Sequence, residues 1–214
     1  MSFIDRGVYM ILAPKTEWEV IAEEEPNADA IFMRYALPLI LASAAIAFIG
    51  YAFIWSGGFD DSVITWGASF KDKVISRGLY YGFQTLFIGV LGLWLTALLV
   101  NVLAPYFGSE KNMGRSMQLA TYAMTPVWVG GLLMIYPPIG FIGLLFGLYG
   151  LYILYVGLPF MMKTPKEKIV PYRVLSIVIL LDIYIGLGFI FRMFLWDAMI
   201  YFLTHILINA HPLK

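Results

Sequence analysis

Asp182 is the residue of this sequence best placed to do chemistry. It lies in Ile177-Val178-Ile179-Leu180-Leu181-Asp182-Ile183, well inside an apolar run. An ionised carboxylate at the centre of a bilayer helix costs roughly 2.5–3.5 kcal/mol on insertion scales. Asp182 is therefore expected to face other helices and be paired, or to be protonated. Two roles follow: a proton or cation site, or an interhelical hydrogen bond with Thr96, Asn101, Gln118 or Tyr122. Arg192 is about 15 Å further along a helix, too far to pair, and is expected to extend to the interface near Asp197.

A second group is the acidic run Glu17, Glu19, Glu23, Glu24, Glu25 and Asp29. It offers a contact for a basic partner or for a divalent cation, but it lacks the Asp-x-Asp-x-Asp-Gly spacing of a calcium loop, so no metal is expected. Lys163, Lys166, Lys168 and Arg173 form a basic loop of opposite sign, suited to anionic headgroups or to the acidic run itself. Gly143, Gly147 and Gly150 form a small-residue pattern that lets helix backbones approach closely. Tyr149, Tyr152 and Tyr155 read as packing and interfacial anchors.

Other chemistry is excluded by what is missing. The chain has no cysteine, and its two histidines, His205 and His211, lie near its C-terminal end. Thiolate nucleophiles, iron–sulfur ligation and a haem held between two histidines of the bundle are thereby removed. No His-Glu-x-x-His, Gly-x-Ser-x-Gly or P-loop occurs, and Asp60-Asp61 lacks further acidic partners for a metal. An enzyme is not expected, and neither is a cofactor. A net charge of zero gives no electrostatic case for nucleic acid.

The elements that position these residues are membrane helices. Of the 214 residues, 61% are hydrophobic and 13% charged, about half the charge of a soluble domain. At about 20 residues per span, five spans are expected at about 34–55, 79–104, 117–136, 139–162 and 172–194. Residues 1–33 precede them as an amphipathic segment: Phe3, Ile4, Val8, Ile11 and Leu12 recur at helical spacing, and Thr16 with Glu19 fits a capping box before Pro26 closes the second helix. Val8 to Ala13 is short and runs into Pro14-Lys15-Thr16-Glu17, so this segment is expected to stay in the protein instead of being cleaved. Residues 195–214, with Asp197, His205, Asn209 and His211, are too polar for a sixth span and read as interfacial. The fold class is all-α, a bundle of five transmembrane helices with interfacial helices at both ends. Arg6, Lys15, Arg34, Lys111, Arg115, Lys163, Lys166, Lys168 and Arg173 outnumber Lys71, Lys73, Arg77, Arg192 and Lys214 on the opposite side. The N-terminus is accordingly expected in the cytoplasm and the C-terminus outside.

The ordered segments resemble the Yip (Ypt/Rab-interacting protein) domain family of five-span membrane proteins, in its bacterial branch. The residues that carry the resemblance are Pro14 to Glu23, Tyr35-Ala36-Leu37-Pro38-Leu39, Ala120-Thr121-Tyr122-Ala123-Met124-Thr125-Pro126, and Leu148 to Leu158 followed by a Lys-Thr-Pro-x-x-Lys loop. The resemblance implies a polytopic protein with a cytoplasmic N-terminus, placed here in a bacterial cytoplasmic membrane. Eukaryotic relatives act in trafficking and associate with Rab-type GTPases and with one another. Their Asp-Leu-Tyr-Gly-Pro stretch is missing: Gly147-Leu148-Tyr149-Gly150 lacks both the acid and the proline. GTPase binding is therefore not carried over.

The expected function is a non-enzymatic scaffold or adaptor, working through helix packing and contacts with a protein partner or a second copy, in membrane organisation or trafficking-like processes. The alternative is a small-solute or ion transporter using Asp182. A third possibility is membrane shaping by the two amphipathic ends.

Overall fold

The computed structural model describes residues 3–54 and 70–195; the expectations for Trp55 to Asp61 and for Asp197 onward fall outside these. No strand occurs among the described residues. Two short helices, α1 (Phe3–Leu12) and α2 (Pro14–Glu23), precede the bundle. The bundle consists of α3 (Ala28–Ile54), α4 (Phe70–Leu103), α5 (Met113–Gly131), α6 (Ile142–Met162) and α7 (Ile169–Ile190). Among the described residues five segments are long and apolar enough to cross a bilayer: Ala28–Ile54, Arg77–Phe107, Met113–Ile135, Ile142–Met162 and Ile169–Met193.

Local chemistry explains several boundaries. Pro14 starts α2, where a missing N–H costs nothing and the fixed φ suits a helix. Ala13 is the residue before it, so the capping box expected from Thr16 and Glu19 does not form. The Asn27 side chain accepts from Ala30 N at 2.9 Å to cap α3, and Asn112 does the same for α5 through Arg115 N at 2.9 Å. Phe32–Ala36 and Gly50–Ile54 are wide, π-type turns. The first of these precedes Pro38, whose ring would crowd a regular α-helical turn.

The least apolar span, α5, is also the most covered, with 61% of its central window buried, against 22% for α7. Helix α5 packs chiefly on α6 and also meets α3 and α4; α7 leans on α4 and touches α6 only sparsely. Polar side chains lock these contacts. Ser43 Oγ donates to Trp128 O at 2.7 Å, tying α3 to α5, and the Tyr172 hydroxyl donates to Val100 O at 2.5 Å, tying α7 to α4. Ser109 and Thr164 share a buried 2.8 Å hydrogen bond between the α4–α5 and α6–α7 connections.

Candidate functional site

The amphipathic segment is built into one end of the bundle. Pro14, Glu17, Trp18 and Ile21 are the buried residues of α2, one apolar stripe at i, i+3, i+4 and i+7 with a carboxylate inside it. Trp18 is fully buried, and its Nε1 donates to Ile153 O at 3.2 Å. Its indole rests on Gly157, one turn along α6, where even a β-carbon would overlap the ring. The Tyr149 hydroxyl donates to Ile11 O at 2.6 Å, and Arg115 Nη1 to Ile21 O at 3.0 Å. Helices α1 and α2 therefore dock against the last four turns of α6 and the first half of α5.

The carboxylate in the stripe has a partner. Arg6 of α1 donates to Glu17 Oε1 at 2.5 Å and also to Glu24, while its guanidinium sits 5.9 Å from the centre of the Tyr122 ring. The Arg6 and Glu17 side chains are only 11% and 6% exposed. Tyr122 meets Trp18 edge-on at 6.2 Å and Tyr35 at 5.0 Å, and the Tyr35 hydroxyl reaches Thr125 Oγ1 at 3.1 Å. The acidic run is thus divided. Glu17 and Glu24 are internal ligands of Arg6, whereas Glu19, Glu23, Glu25 and Asp29 are exposed. Beside Arg6 an open cavity of about 330 Å³, lined by Arg34, Glu24, Glu25, Gln118 and Tyr122 among others, marks the junction of segment and bundle.

Reading the sequence as separate patches missed this Arg6–Glu17–Trp18 unit. The available signal was Glu17 within the helical stripe, which requires a nearby cation. No group of three or more His, Cys, Asp or Glu able to hold a metal occurs among the described residues.

Asp182 stands elsewhere, and of the two expectations made for it the inward-facing, paired one does not hold. It is exposed on the outer face of α7, not directed into the bundle. Two residues on, Tyr184 packs inward so closely that a β-carbon on Gly92 of α4 would touch its ring. Residues two apart on a helix point about 200° apart, so an inward Tyr184 turns Asp182 outward. Three of the four candidate partners are engaged with their own surroundings, Thr96 with Gly92 O, Gln118 with Arg115, and Tyr122 with Arg6, while the buried Asn101 Oδ1 of α4 has no hydrogen-bond partner among the described residues. Asp182 lies near the middle of the span, roughly 14 Å along the helix from Arg173 and about 15 Å from Arg192. Arg173 stacks over Tyr155, 4.1 Å from the ring centre, and Arg192 is exposed near the far end.

The three glycines of α6 differ in surroundings. A β-carbon on Gly150 would meet Ala123 O at 2.8 Å, a close approach to α5. At Gly143 the nearest atom would be 3.8 Å away, and at Gly147 nothing lies within 4 Å.

A family model described as the Yip1 domain matches residues 8–190. No curated protein and no solved structure matches the chain.

Proposed function

The chain belongs to the Yip1 domain family, and on that premise we propose that this integral membrane protein is a non-enzymatic scaffold or adaptor whose partner helix covers the Asp182 face of α7. Proteins of the family are generally not enzymes. The observation that carries the reading is a carboxyl group at mid-span on the least covered helix, beside Val178, Leu181 and Ile185, all exposed. A charge in hydrocarbon is expensive, and a helix offering a hydrogen-bond donor at that depth removes the cost. The exposed Glu19 and Glu23 of the docked hairpin, with Glu25 just after it and Asp29 in the first turn of α3, present a second, water-facing contact on the N-terminal side. That side is cytoplasmic in this reading, by the distribution of Lys and Arg. A transporter built on Asp182 needs the carboxyl on a polar internal path, and its outward placement lends that reading no support.

The test is affinity purification of the tagged full-length protein from native membranes in a gentle detergent. One near-stoichiometric co-purifying protein is expected. Asp182→Leu should reduce its recovery by about tenfold, the equivalent of one interhelical hydrogen bond of about 1–2 kcal/mol. Asp182→Asn, which keeps hydrogen-bonding capacity, should retain it. Bait recovered alone from wild type, or a partner indifferent to Asp182→Leu, would count against the proposal.

A further inference from the structure

Inside the bundle, α3, α4, α5, α6 and α7 surround a cavity of about 270 Å³ lined by Ser43, Ile88, Met124, Trp128, Gly143 and Tyr184 among others. It is nearly twice the roughly 150 Å³ of an apolar cavity that stays dry and takes up benzene. Most of its polar side chains are bonded within the protein, the Trp128 Nε1–H being the exception. Ser43 Oγ donates to backbone carbonyls, Thr85 Oγ1 to Tyr81 O at 2.8 Å, and the Tyr184 hydroxyl to Met124 Sδ at 3.5 Å, while Gln84 is hydrogen-bonded with Tyr80. A buried water needs two to four polar partners, and the single unbonded Trp128 Nε1–H is too few. The space therefore selects hydrocarbon over water or a polar solute.

The cavity is not sealed. Gly143 belongs to α6 and Tyr184 to α7, the two helices that touch each other only sparsely, and neither Gly147 of α6 nor Gly186 of α7 has an atom within 4 Å of where its β-carbon would stand. All five surrounding helices carry segments fit to cross a bilayer, so the medium outside this seam is lipid. We propose that the cavity is a binding site for the acyl tail of a membrane lipid, which enters sideways between α6 and α7 and lies against Trp128 and Met124. Nothing in this inference depends on the adaptor reading, since it uses only the cavity and the membrane setting.

Gly143 supplies a blocking variant. A β-carbon there makes only ordinary contacts, at 3.8 Å from Gly130 O and 3.9 Å from Met134 Cε, so Gly143→Leu extends a side chain into the space without displacing backbone. Gly147→Leu, one turn along the same helix and away from the cavity lining, is the matched control. Full-length protein is reconstituted into phosphatidylcholine vesicles containing a phosphatidylcholine with a diazirine midway along one acyl chain. After illumination, adducts are mapped by mass spectrometry. Wild type is expected to carry adducts on Met124, Trp128 and Met134 as well as on the exposed Leu144 and Leu148. Gly143→Leu should lower the cavity adducts about tenfold, the loss of burial of about two methylenes, and leave Leu144 and Leu148 labelled. Gly147→Leu should keep the cavity adducts. If Gly143→Leu is not recovered folded, Ile88→Phe fills the space from α4 and is read in the same way. Adducts confined to the outer leucines in wild type, or cavity adducts unchanged in the filled variants, overturn the proposal.

Discussion

Trp18→Ala is expected to release the α1–α2 hairpin from the bundle while the five spans stay folded. A fully buried tryptophan replaced by alanine costs about 3–5 kcal/mol, and here the hydrogen bond to Ile153 O is lost as well. The cost falls on a local unit, because Trp18 is seated against Tyr122 of α5 and Ile153 and Gly157 of α6. Local opening is therefore the cheapest response. The chain has no cysteine, so Met10→Cys, at a fully buried position of α1, installs a single thiol reporter. In that background a water-soluble maleimide should label the Trp18→Ala protein about a hundredfold faster or more, since each 1.4 kcal/mol is a factor of ten in opening. Gly157→Leu should produce the same acceleration with Trp18 retained, because the new side chain occupies the place of the indole. Combined, the two changes should add little to either alone, as they remove one shared contact. Equal labelling of Trp18→Ala and its parent would show that the hairpin is held by something else.

Arg6→Met should be nearly as damaging, for an electrostatic reason. It leaves Glu17 buried with no cation, and removing one partner of a buried ion pair costs about 3–5 kcal/mol. Adding Glu17→Gln removes the stranded charge and should restore much of the loss, although Glu24 also gives up its partner. Glu24 is 38% exposed on its side chain and can turn to water. Thermal unfolding in mild detergent followed by tryptophan fluorescence, together with the same thiol reporter, separates loss of the whole bundle from loss of the hairpin. Rescue by the double change is the decisive reading. If Arg6→Met and the double variant are equally destabilised, the arginine acts by packing on Tyr122 and not by charge.

These two cases show what could be read from the chain and what could not. The five spans were legible because lipid imposes one rule on every residue of a helix that crosses it, and length and apolarity suffice to apply that rule. The Yip resemblance was legible in the order of Pro14 to Glu23, Ala120 to Pro126 and Leu148 to Leu158. The hairpin's seat was not, because it depends on pairings between distant residues: Trp18 with Gly157, Arg6 with Glu17, Tyr149 with Ile11. Glu17 looked like one carboxylate of a solvated run, and only its place at i+3 in the Pro14–Ile21 stripe marked it as internal. Asp182 shows the converse. Its depth followed from the sequence, but its direction depends on which side of α7 meets α4, and an apolar helix without a strong polar face does not announce that. The Thr16–Glu19 capping box failed because Pro14 began the helix three residues sooner.

The seat of Trp18 also sets a timetable for synthesis. Ile153, whose carbonyl receives the indole, is 135 residues downstream. At about 5–20 residues per second, the hairpin waits roughly 7–27 s between its own emergence and the arrival of its acceptor. Throughout that interval Met10, Trp18 and Ile21 have no permanent neighbour, and the membrane surface is the nearest apolar refuge. The apolar face of α1 and α2 that closes on the finished bundle thus goes without its seat until α6 has been made.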